Sequence, residues 1–343
     1  MHVLDVDVTD PHLAFRPLMR AVTSRQRLTS YRSQRKLVAA TNAGYFDLQT
    51  GAPIGPTVKQ GQPVLGRAAP LGRAMLTSSV STNVVGFSRD GLMQAGHLSV
   101  VGDVTARTGS QQLAGLNTPR PQFGITAYTP RWGRTPIVWS RGTVGRYVYR
   151  GFVSIPARHP ARHSARRHHH RRHHVSNLHR APRSGYLLVA RGDDAVHWLR
   201  SLHRAARVHL HVGTRSDAPQ PFRTAYAVGG RITQNGQGLE GLTCPRGYPQ
   251  PARTAIGFAD GGRRLILVAV DDNPRTPLHG LDSVQLGAVM ADLGATDAWL
   301  FDGGGSTTMV TRMHPHARRL LLRTATADRV ERAIPLGFGI FRR

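Results

Sequence analysis

Residues 253–270 read RTAIGFADGGRRLILVAV. Two runs, RTAIGFA and RLILVAV, flank Asp260-Gly261-Gly262, and an aspartate followed by glycines between such runs is a strong hairpin signal. The second run is apolar on both faces, as expected of a strand buried inside a sheet. Downstream, Asp282 or Ser283 caps a helix in which Leu286, Val289, Met290 and Leu293 recur at i, i+3, i+4 and i+7, and Gly294 closes it. Residues 297–301 then form a short apolar strand. Strand, helix and strand with short links predict a crossover unit whose two strands run parallel.

This reading places chemistry. In a hairpin turning at Gly261 and Gly262, Arg253 lies opposite Val270, beside the strand end that leads into Asp271. The two strands of the crossover unit end at Asp271 and Asp302, so both carboxylates are expected on one sheet edge, where open α/β sheets place their ligands. Asp302 sits in LFDGGGSTTMV, residues 300–310. A tight turn needs one glycine; three in succession let the backbone approach a ligand closely and aim N–H groups into a concavity that suits phosphate. Arg253, Asp271, Asp302 and Gly303, Gly304 and Gly305 are therefore expected to share one site. The plainer alternative is a structural ion pair in which Arg253 only neutralises the aspartates.

Composition sets the frame for that site. A chain of 343 residues buries a sizeable core. The net charge of +27 comes almost wholly from arginine, since Lys36 and Lys59 are the only lysines, and such a field attracts anionic substrates and polymers. Cys244 stands alone, which excludes an intrachain disulfide and a CxxC metal site. The opening MHVLDVDVTD lacks the basic start and apolar core of a signal peptide. It alternates instead like a strand, with Leu4, Val6 and Val8 on one face. No apolar run approaches a membrane-spanning length.

Upstream, KLVAATNAGYFD reads as a strand ending at Asn42, and GAPIGPTVKQGQPV as short strands or turns. Residues 186–190 and 208–212 read as strands and residues 195–202 as a short helix. His209 and His211 share one strand face, and as paired surface histidines they are given no role. Residues 157–181 carry eight histidines, seven arginines and no acid, without apolar period, and are expected to be a disordered insertion that touches anionic polymers. Strand-like segments on both sides of it predict a single α+β domain over residues 1–343, with mixed β-sheets, the C-terminal hairpin, the crossover unit and flanking helices.

The pieces TNAGYFD, PIGPTVKQGQPV, ARTAIGFADGGRRLILVAVDDN, GLDSVQLGAVMADLGA and FDGGGSTTMV, in that order, resemble the phosphodiester glycosidase domain family, known from the lysosomal mannose-6-phosphate uncovering enzyme and from bacteria. GYLLVARG and AYAVGGRITQNGQ resemble its middle, and TADRVERAIPLGFGIF its closing segment. The resemblance implies hydrolysis of a sugar-1-phosphodiester at the glycosidic bond, with release of free sugar and a phosphomonoester. It implies catalytic roles for Asp302, Asp271 and Arg253, substrate contacts from Asn42, Thr254, Gly303, Gly304, Gly305 and Ser306, and no required cofactor. It also implies work outside the cytoplasm on envelope or extracellular glycans. The sequence departs from the family pattern at Ala43 and Asp272, which stand where glycines are usual, and at Gln285 and Gly287, in a helix stretch that often carries a glutamate.

The residue chemistry agrees. A glycosyl phosphate bears its charge on the leaving group, which a forked guanidinium and backbone N–H groups hold and stabilise as it departs. The sugar centre then needs a carboxylate that activates water or attacks directly, the task that paired carboxylates perform in glycoside hydrolysis. A second reading makes Asp271, Asp272 and Asp302 oxygen ligands for Ca²⁺ or Mg²⁺ in a metal-dependent phosphodiesterase. A third is a non-catalytic basic module for anionic polymers; against it, the His/Arg segment lacks interleaved aromatics for base stacking.

Overall fold

A computed structural model describes residues 1–68, 82–137, 142–154, 179–240, 252–271, 280–312, 321–324 and 330–343. Asp272, Cys244 and all but the last three residues of the 157–181 segment lie outside them. Among the described residues the chain forms twenty-two strands and two α-helices, Asp193–Ser201 and Ser283–Asp292. The expected α+β balance is thus corrected to a mostly β architecture. Patterning explains the shift: the first two thirds of the chain carry short alternating runs bounded by glycine and proline, which make strands and turns and leave few stretches long enough for a helix.

Three sheets build the molecule. A six-stranded sheet has the order His2–Asp7, Arg264–Val270, Arg253–Ala259, Asp297–Leu300, Arg231–Gln234 and Gln237–Gly238. Its neighbours are all antiparallel. Arg253 pairs with Val270 across a turn at residues 260–262. The strands ending before Asp271 and Asp302 run in the same direction, but they do not pair, because the strand that starts at Arg253 lies between them. A five-stranded sheet has the order Leu13–Leu18, Gly337–Arg342, Leu37–Asn42, Thr308–Thr311 and Leu321–Thr324. The third, eleven-stranded sheet is antiparallel except where Gly109–Leu116 runs parallel to Gly124–Tyr128.

The six-stranded sheet buries both faces, which is why RLILVAV has no polar side. On one face Ile266, Val268 and Val270 meet Leu286 and Met290 of the Ser283–Asp292 helix. Asp282 caps that helix by accepting from Gln285 N at 2.7 Å, and the Gln285 side chain answers by accepting from Asp282 N at 3.0 Å, a reciprocal cap. Gly287 lets the helix press on the neighbouring strand, where a Cβ would collide with the Ile232 carbonyl oxygen. Both departures from the family pattern in this helix therefore hold its seat. On the other face Leu265, Leu267, Ala269 and Trp299 pack with Ala39, Met309 and Phe338 of the five-stranded sheet. Burying one such leucine stabilises the fold by about 1.5–3 kcal/mol. This packing brings the end of the Leu37–Asn42 strand against the 302–308 loop.

Candidate functional site

Asn42 is where the two sheets are tied together. Its Nδ2 donates to the Asp302 carbonyl oxygen at 2.6 Å, while its Oδ1 accepts from Thr254 Oγ1 at 2.8 Å and from Thr308 N at 3.0 Å. Asp302 N in turn donates to the Ala43 carbonyl at 2.9 Å. Asn42 and Thr254 are buried and spend their polar atoms on one another and on the loop, so they position Asp302 from beneath it.

The Asp302 carboxylate lies partly buried at the mouth of the loop. It accepts from Gly303 N at 3.0 Å and from the Ser306 hydroxyl. Burial pushes its carboxyl above the usual carboxylate range, and these two hydrogen bonds and the charge of Arg332 oppose that rise. Arg332 Nη1 donates to Ser306 Oγ at 3.3 Å, which makes a relay from guanidinium to hydroxyl to carboxylate. Glu331 seats Arg332 there: buried, it accepts from Thr29 N at 3.1 Å and also from the Thr29 hydroxyl.

Arg253 flanks the loop on its other side. Its Nε donates to the Leu281 carbonyl at 3.3 Å, and Gly303 lies against its stem and the Ala252 carbonyl. Tyr45 completes the group. Burial, reinforced by the charge of Asp302 and opposed by that of Arg253, pushes its phenol up to about 12, so at neutral pH it is a neutral donor within electrostatic reach of both.

Two of the three glycine N–H groups are already engaged within the protein. Gly303 N is engaged by Asp302 and Gly304 N by the Ala252 carbonyl at 2.7 Å. What their small size permits is close approach of the arginines: a Cβ on Gly303 would sit 2.9 Å from the Ala252 oxygen, and one on Gly305 would meet the Arg332 guanidinium. Gly304 has φ +56° and no atom within 4 Å of where a Cβ would stand, so it is the conformation rather than crowding that calls for glycine there.

Asp271 occupies the same sheet edge but the opposite face. Val270 shares the face of its partner Arg253, so alternation turns the next side chain away, and Asp271 Oδ2 meets His2 Nε2 at 2.8 Å. Its Oδ1 is buried with no partner among the described residues. The structure therefore brings Asp302, Arg253, Ser306 and the glycines together and sets Asp271 beside them with His2. Sequence reasoning missed Tyr45, Arg332 and His2. Tyr45 lies inside the quoted TNAGYFD, three residues after Asn42, and was the one within reach of a local reading. Among the described residues no three His, Cys, Asp or Glu side chains converge in a metal-binding group, and Asp272 lies outside them. No helix among them is long and apolar enough to cross a membrane.

Residues 172–341 match the sequence profile of the phosphodiester glycosidase family. No curated protein matches the chain. Among solved structures, a hypothetical protein from Synechocystis is similar with a TM-score of 0.72 and 23% identity, over 99% of this chain and 59% of that one. A protein from Burkholderia pseudomallei is similar with a TM-score of 0.67 and 19% identity, over 99% of this chain and 73% of that one. The catalytic domain of zebrafish N-acetylglucosamine-1-phosphodiester alpha-N-acetylglucosaminidase, auto-inhibited by its pro-peptide, aligns with a TM-score of 0.46 and 15% identity over 100% of this chain and 83% of that one. The two bacterial structures share the fold over nearly the whole chain, which itself spans 59% of the length of the Synechocystis protein.

Proposed function

We propose, with the phosphodiester glycosidase profile as premise, that the chain hydrolyses a sugar-1-phosphodiester at the glycosidic bond. Water adds to C1 of the sugar, the C1–O bond breaks, and a phosphomonoester leaves with the bridging oxygen. The observation that carries this reading is the grouping of one partly buried carboxylate, Asp302, with two guanidiniums, Arg253 and Arg332, across a glycine loop.

Each group has a task. The arginines hold the phosphoryl oxygens and match the charge that builds on the leaving group. Asp302 acts at the sugar centre, where its raised pKa makes it a stronger base than an exposed aspartate once ionised. Tyr45 remains protonated and donates to an oxygen of substrate or leaving group. Ser306 holds the carboxylate at a fixed angle. Asp271 is the second carboxylate of this edge, and its bond to His2 aims one oxygen away from Arg253.

The deciding experiment offers sugar-1-phosphodiesters with and without chelator and identifies the products. Free reducing sugar plus phosphomonoester, unaffected by chelator, supports the reading. Sugar phosphate formed only with added Ca²⁺ or Mg²⁺ would replace it with the metal-dependent phosphodiesterase.

A further inference from the structure

A second cavity of about 430 Å³, large enough for a sugar, is bounded by none of Asp302, Ser306, Arg253, Arg332 and Tyr45. The hairpin that leaves Tyr45 returns at Ile54, whose N–H donates to the Tyr45 carbonyl at 2.7 Å, and Asp47, Ile54 and Gly55 supply one wall. The remaining walls bring Arg67, Thr82 and Arg120 over an apolar floor that includes Leu65 and Leu98.

Two of these side chains lack a partner among the described residues. Thr82 is 6% exposed and its buried hydroxyl has no hydrogen-bond partner among them. Arg67 is half-buried and makes no side-chain hydrogen bond or ion pair among the described residues. Burial alone holds its guanidinium below the ordinary arginine range, with no carboxylate acting against the shift. Asp47, the carboxylate in the wall, does not contribute to that shift, and its Oδ1 accepts from Thr50 N at 2.6 Å and Thr50 Oγ1 at 2.8 Å. A partly desolvated cation and a buried hydroxyl without a protein partner both gain from a ligand that engages them. Arg120 adds a second guanidinium at the rim, held by Gln49 Oε1 at 3.1 Å, while the Thr118 hydroxyl donates to the Arg120 carbonyl at 2.8 Å.

We propose that this cavity binds a sugar bearing an anionic substituent, with the anion on Arg67 and Arg120, sugar hydroxyls on Thr82 and Asp47, and the C–H face of the ring on the apolar floor. A forked guanidinium matches phosphate and carboxylate alike. The proposal stands independently of the chemistry at Asp302. It also differs from general attraction to a chain of net charge +27, because it assigns the anion to two of the 46 basic residues, Arg67 and Arg120.

Calorimetric titration of the full chain at physiological salt with glucose 6-phosphate, glucuronate and neutral glucose tests it, and the first two distinguish a phosphate from a carboxylate preference. One saturable site is expected for at least one anionic sugar, with glucose at least tenfold weaker. Arg67→Met and Thr82→Val should each weaken binding at least tenfold. Arg332→Ala, in the other site, and Arg16→Ala with Arg223→Ala, in a separate basic concavity, should leave it unchanged. Because Arg67→Met keeps the stem and removes a half-buried charge, it should also raise the melting temperature without ligand and abolish the ligand-induced rise. Should either variant fail to fold, the other carries the test. Unchanged affinity in a folded Arg67→Met or Thr82→Val protein overturns the proposal, as does binding that follows Arg332 instead, or no binding by either anionic sugar.

Discussion

Asp302 and Asp271 end two strands that run the same way on one sheet, yet their surroundings differ in almost every respect. Asp302 is partly buried, takes hydrogen bonds from Gly303 and Ser306, and lies within the field of Arg332. Asp271 is 36% exposed at its side chain and is joined to His2 on the edge strand. The difference follows from a single step of strand alternation: one carboxylate falls on the arginine face and the other on its reverse. Counting along a sequence finds the edge of a sheet more readily than the face.

The largest effect expected from this contrast is on turnover. Asp302→Asn should lower kcat by roughly 10³-fold or more while a phosphodiester still binds, because the amide keeps shape and loses the base. Asp271→Asn should cost less, about 10–100-fold, by analogy with a group that orients others without touching the reacting atoms. Equal losses in steady-state assays would erase the distinction and make the two aspartates a working pair.

The arginines come next. Arg253→Ala should cost about 2–4 kcal/mol in kcat/KM, with lysine restoring only part, since a point charge lacks the fork. Arg332→Ala should cost a similar amount and carry a further signature. Arg332 lowers the Asp302 pKa, so its loss should move the limb of the pH–rate profile that belongs to Asp302 to higher pH. A profile that stays in place would detach Arg332 from Asp302.

Stability changes are smaller and differ in sign. Asn42→Ala strips partners from Thr254, Thr308 and the Asp302 carbonyl and should destabilise the fold by about 2–4 kcal/mol. Denaturant unfolding measures it, and a loss of activity without loss of stability would return Asn42 to the substrate. Asp302→Asn should do the reverse near neutral pH. The folded protein holds the Asp302 proton more tightly than the unfolded chain, so below the unfolded pKa the carboxyl costs nothing. As pH rises through the folded pKa, its ionisation lowers stability, and the amide escapes that loss. The variant should therefore melt above the parent at neutral pH, with the gap closing in acid.

Much of this site was legible because its signals are local. The hairpin count put Arg253 against Val270, and the glycines after Asp302 marked a close approach. The identity of what approaches was hidden, because Arg332 arrives from a segment whose register depends on Glu331 and Thr29, three hundred residues apart in the chain. His2 was hidden for the same reason, since only the pairing of His2 with Ala269 brings it near Asp271. The mostly β balance was under-read because the one strongly periodic helix drew attention to a crossover, while the many short strands upstream gave weak individual signals. The His/Arg segment lies largely outside the described residues, and its expected contact with polymers rests on composition.

The strand Gly337–Arg342 lies between Leu13–Leu18 and Leu37–Asn42 in its sheet. The two early strands cannot pair along those edges until this sequence-distant strand is present. Closing that long loop costs entropy before any contact rewards it, and such non-local pairing disfavours fast folding. Asn42, which pairs with Gly337 in this sheet, gains that partner only when the long loop has closed. The 302–308 loop is therefore anchored by a residue whose strand pairing joins the two ends of that long loop.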